Sequence, residues 1–133
     1  MNAPTPLRPS QRVVQIILFL FAAIALFGGT LQMFLGQPET TPRLDNVHRF
    51  LAGIYFGTGL ICAWAALRVR EQGTLVYLIG IAVFLSGCGR LWSISVVGLP
   101  QPSAVWLGYM IPELVLPWVM VAAHRFGARV AES

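Results

Sequence analysis

Apolar residues in this chain come in long runs rather than in alternating or one-faced patterns. The runs cover residues 13–35, 47–67, 75–97 and 104–123. Each is long enough for a helix to cross a hydrocarbon core of about 30 Å. The breaks between them are short. Residues 36–46 carry Pro38, Pro42 and clustered polar side chains, which stop a helix. Asp45 or Asn46 is the expected N-cap of the second span. Arg68, Arg70, Glu71 and Gly73 form a basic turn, and residues 98–103 form a Gly/Pro turn. Short connections make consecutive spans antiparallel neighbours. The expected fold is therefore all-α: an integral membrane four-helix up-down bundle, with one four-span domain over residues 13–123. Residues 1–12 and 124–133 are expected to be short tails. The basic start and Ala23-Ile24-Ala25 imitate a secretory signal. The apolar run continues well past them, so an uncleaved span is expected.

Composition sharpens this picture. The chain has 133 residues, 56% hydrophobic and 11% charged, with a mean hydropathy of +0.72. Soluble domains carry about 25% charged residues. A net charge of +4 and a pI near 9.8 could suggest nucleic acid. However, all nine basic residues are arginines, and most sit at the ends of apolar runs. That placement orients a membrane protein, and no nucleic-acid partner is expected. With the N-terminus inside, Arg8, Arg12, Arg68, Arg70, Arg125 and Arg129 fall on the cytoplasmic side, against Arg43 and Arg49 outside. Both termini are then expected in the cytoplasm of a multi-pass protein of the cell inner membrane. Cys62 and Cys88 lie in apolar runs without a C-x-x-C spacing, as small hydrophobes would.

The third span breaks the apolar rule at Arg90. Ser86, Arg90, Ser93 and Val97 recur at helical spacing, so a mostly polar stripe faces one way. An ionisable group inside a span is costly and calls for a partner or water. Glu113 enters the fourth span from the same side, at a similar depth. Helical side chains lean toward their own N-terminus, so on antiparallel spans the two heads converge. Pro112 and Pro117 free the carbonyls of Gly108 and Glu113 in the same region. In the second span Asn46, Arg49, Gly53 and Gly57 share one face, and Gly53-x-x-x-Gly57 is a spacing that permits close helix approach. Trp92, Trp106 and Tyr109 read as interface anchors or packing, and His48 and His124 as solvated interfacial histidines at opposite ends of their spans. No nucleophile set, phosphate loop or metal-ligand spacing is present. No cofactor is expected.

Asp45-Asn46-x-x-Arg49-Phe50-Leu51-Ala52-Gly53-Ile54-Tyr55, then Gly89-Arg90-x-x-Ser93 with Gly98-Leu99-Pro100, then Glu113 ahead of Pro117, resemble a family of small bacterial four-span membrane proteins known only as a domain of unknown function. The resemblance implies fold and membrane location, and supplies no activity. Two functional readings stay open. In the first, Asn46, Arg49, Arg90, Ser93 and Glu113 line an outer-leaflet pocket for a small anionic or amphipathic ligand, without enzymatic activity. Guanidinium groups suit a carboxylate, a phosphate or a quinone-like carbonyl. In the second, the charges are a structural staple in an accessory subunit that binds another membrane protein or a second copy. A membrane enzyme acting on a lipid or quinone is a third class, but the chain shows no nucleophile or redox motif for it. Besides such partners, the lipid bilayer is the expected surroundings.

Overall fold

A computed structural model describes residues 6–132, with side chains from 6 to 128. Residues 1–5 of the expected N-terminal tail, Ser133, and the side chains of Arg129 and Glu132 lie outside the described residues. The described chain is all-α. Its elements are α1 (Pro9–Leu35), α2 (Pro42–Leu67), α3 (Thr74–Val97) and α4 (Ser103–Glu132). All four are long and apolar enough to cross a membrane. Their surfaces carry large apolar side chains, among them Phe34, Leu67, Trp92 and Trp118, as contact with a bilayer requires.

The helix limits have local causes. Thr41, rather than Asp45 or Asn46, caps α2: its hydroxyl accepts from the backbone N–H of Leu44 at 3.3 Å. Pro42 follows at the first helical position, where its missing N–H costs nothing and its fixed φ suits the helix. Asp45 instead falls in the first turn, where a negative charge meets the positive end of the helix dipole. Helix α1 ends at Gly36, whose φ of +62° suits a residue without Cβ. Pro112 and Pro117 lie inside α4 without ending it. Helix α4 also runs on through most of the expected C-terminal tail, and α1 begins within the expected N-terminal one.

The chain divides into two compact units. One is Gln15–Val69; the other joins the described residues up to Val14 to those from Arg70 onward. In the first unit α1 and α2 run antiparallel. Gln15 donates to the carbonyl of Ala66 at 3.0 Å near one end, and Arg49 reaches Met33 near the other. Between them, glycines let the backbones approach. A Cβ on Gly29 would stand 2.8 Å from the backbone nitrogen of Phe56, and one on Gly59 would stand 2.8 Å from Cγ of Leu26. The Gly53/Gly57 spacing is not where this happens. A Cβ on Gly53 would meet only the end of Met33, at 3.6 Å, and one on Gly57 would meet nothing within 4 Å.

In the second unit α3 and α4 are antiparallel. The ring of Tyr77 meets the edge of His124 at 5.2 Å, and Phe84 meets Trp118 at 5.3 Å. Val76, Ile79, Gly80 and Gly87 are buried on α3, as are Glu113, Pro117 and Met120 on α4. Arg8 donates to the carbonyl of Gly127 at 3.0 Å, which ties the start of the chain to α4.

Candidate functional site at Arg90

Arg90 sits one turn after Gly87 on α3. Gly87 lets α4 come close: a Cβ there would stand 2.9 Å from Cδ2 of Leu114 and 3.1 Å from Cβ of Glu113. Glu113 is thereby drawn against α3, and Nε of Arg90 donates to its Oε2 at 2.8 Å. The side chains are 31% and 11% exposed, so the carboxylate is the more deeply placed partner. The ring of Tyr109, one turn before Glu113, lies 5.6 Å from the guanidinium carbon, within range for a cation–π contact.

The pairing uses one edge of the guanidinium. Arg90 has five N–H donors. Among the described residues of its unit, no other hydrogen bond engages them. Arg90 also forms the wall of a cavity of about 100 Å³, together with Ser93, Ile94, Pro100 and Trp106. That volume takes a carboxylate- or phosphate-sized group with some water, since one water needs about 10–15 Å³ of such space. Glu113 is not part of the lining; Arg90 presents the pair to the cavity. The hydroxyl of Ser93 is also without a hydrogen bond among the described residues of the unit, whereas Ser86 and Ser95 donate to the carbonyls three residues before them.

Trp106 carries the signal that the sequence pattern did not reveal. Its Nε1 is buried and has no hydrogen-bond partner among the described residues. A buried donor left unmet costs about 1–3 kcal/mol. An indole in a membrane-interface belt would instead keep its polar edge wet. Trp92, by contrast, is 72% exposed.

Asn46 and Arg49 belong to the other unit, and there the structure uses Arg49 locally. Its Nε donates to Oδ2 of Asp45 at 2.9 Å, and its Nη1 donates to the carbonyl of Met33. Met33 lies in the last turn of α1, where carbonyls lack intrahelical partners. Arg49 therefore closes the end of α1, over Gly36, where a Cβ would stand 2.9 Å from its Nη2. Asn46 is exposed. His48, expected to be solvated, has a buried Nδ1 without a partner among the described residues. His124 is half-buried and packs against Tyr77. Among the described residues no three His, Cys, Asp or Glu side chains gather as metal ligands would. Cys62 is buried, Cys88 half-buried, and both are free thiols.

A family model described as a domain of unknown function (DUF4345) matches residues 13–124, most of the chain, and the chain belongs to that family. Comparison with curated proteins and with solved structures found no match.

Proposed function

We propose that this DUF4345 member is a non-enzymatic, multi-pass protein of the cell inner membrane, with both termini cytoplasmic. It binds a small anionic or amphipathic ligand in the pocket at Arg90. The observation that carries this is the one-sided engagement of Arg90. Glu113 holds one edge of its guanidinium, and the side chain walls a cavity shared with Ser93. The carboxylate holds the cation in place inside a span. The remaining donors face a ligand group without the entropic cost of ordering a loose side chain.

A second reading, an accessory subunit that binds another membrane protein or a second copy, is favoured by a different observation. A Cβ on Gly57, Gly89 or Gly108 would meet nothing within 4 Å. Glycine on open helix surface suits close approach by another helix in lipid. In that reading Arg90–Glu113 only sets helix register.

Thermal unfolding in a neutral detergent separates the two. Oleate or phosphatidylglycerol should raise the midpoint of the wild-type protein, since a ligand at 100 times its Kd stabilises the folded state by about 2.7 kcal/mol. Ser93→Leu fills the cavity and leaves Arg90 and Glu113 intact. It should unfold at the wild-type temperature without ligand and lose the shift. If no anionic or amphipathic compound shifts the wild type, the accessory reading replaces the ligand reading.

A further inference from the structure

We infer that Trp106 sets the chemical class of the ligand, as a third hydrogen-bond donor beside Arg90 and Ser93. The group bound there is an oxyanion head, a carboxylate or a phosphate. This rests on the pocket reading above and narrows it.

The polar side chains of the cavity are almost wholly donating. Arg90 offers N–H groups and cannot accept, and the indole of Trp106 is likewise donor-only. Ser93 can donate or accept. The nearby carboxylate, Glu113, is held by Arg90 and is not in the lining. A head that must itself donate, such as an ammonium or a hydroxyl, finds Ser93 as its one side-chain acceptor in the lining and faces a cation. An oxygen with several lone pairs can take all three donors.

Trp106 adds an independent argument, because it lines the same cavity and its buried Nε1 lacks an acceptor. A buried unmet donor destabilises the unliganded protein, and a ligand oxygen within its reach removes that penalty on binding. Nε1 is covered, so the inferred bond requires the indole to turn toward the cavity on binding. Arg90 lines the cavity and Glu113 does not, so an anion there is closer to the guanidinium than to the carboxylate. Ile94 and Pro100 complete the lining with apolar surface, which suits the start of a hydrocarbon chain behind the head.

The two roles of the N–H give a signature that a packing role would not. Trp106→Phe removes the donor and keeps an aromatic ring. A second variant places 3-benzothienylalanine at position 106 by nonsense suppression, exchanging N–H for sulfur at nearly unchanged shape. Both proteins, with the wild type and Ser93→Leu, are titrated in neutral detergent with oleate, dioleoyl phosphatidylglycerol, sodium acetate, inorganic phosphate and oleylamine, reading the unfolding midpoint. The expected result is an unliganded midpoint for the benzothienyl protein equal to or above wild type. At least tenfold more oleate or phosphatidylglycerol should be needed for half of the wild-type shift. Shifts by oleate and phosphatidylglycerol alone make the head part of an amphiphile; equal shifts by acetate or phosphate make it a free anion, and either supports the class. A benzothienyl protein with the wild-type dose response overturns the role of Trp106 while the loss in Ser93→Leu keeps the pocket. A shift by oleylamine equal to that by oleate overturns the oxyanion class. A wild type that none of the probes shifts overturns both this inference and the pocket.

Discussion

Gly29→Ala and Gly57→Ala make the same chemical change in neighbouring helices, with opposite consequences. A Cβ on Gly29 would lie 2.8 Å from the nitrogen of Phe56 and 2.9 Å from the carbonyl oxygen of Ala52. Both are backbone atoms and cannot swing aside. Optimal carbon contacts lie at about 3.5–4.0 Å, so α1 and α2 must separate by roughly 0.7–1 Å there. Such overpacking costs about 1–3 kcal/mol. Against it stands a gain of about 0.5–1 kcal/mol from replacing glycine by alanine within a helix. At Gly57 a Cβ meets nothing within 4 Å, so only the gain applies. The helix-propensity term cancels between the two variants. Their difference in stability is then the overpacking cost itself, about 1–3 kcal/mol. Reversible SDS unfolding in mixed micelles, followed by far-UV circular dichroism, measures it directly. Gly57→Ala should be as stable as wild type or more so. Equal stability of the two variants would refute the close approach at Gly29, and a loss confined to Gly57→Ala would restore the Gly-x-x-x-Gly spacing as the contact.

A double-mutant cycle on the ion pair should show strong coupling. Arg90→Met and Glu113→Leu should each cost about 1–3 kcal/mol, the range for losing a charged hydrogen bond with one partner part-exposed, and the double variant should recover much of the loss. Additive costs would mean that the pair does not interact. For orientation, alkaline-phosphatase fusions after Ala128 should be inactive and fusions at Gln37 active, as the arginine distribution requires; the reverse pattern would invert the topology.

Run length and arginine placement are properties of the chain read in one dimension, and from them the helices and their membrane-crossing character were legible. The convergence of Arg90 and Glu113 was legible for a related reason. It needs only antiparallel neighbours and the fixed lean of helical side chains, both of which follow from chain order. Local chemistry also explains the start of α2, although it was misread: Thr41-Pro42 is a cap followed by a helix-starting proline, and it outranks Asp45 and Asn46 four residues later. What the linear pattern could not decide is how α1 is rotated against α2. That rotation is the sum of many side-chain contacts, and it put the close approaches at Gly29 and Gly59 rather than at Gly53 and Gly57. The same holds for Arg49, whose guanidinium is claimed by the carbonyl of Met33 only because α1 ends beside it. It holds also for Trp106, since a tryptophan near a helix start looks alike whether its N–H meets water or is sealed without a partner. Only packing in three dimensions separates the two, by fixing which polar atoms lose water and which acceptors come within reach.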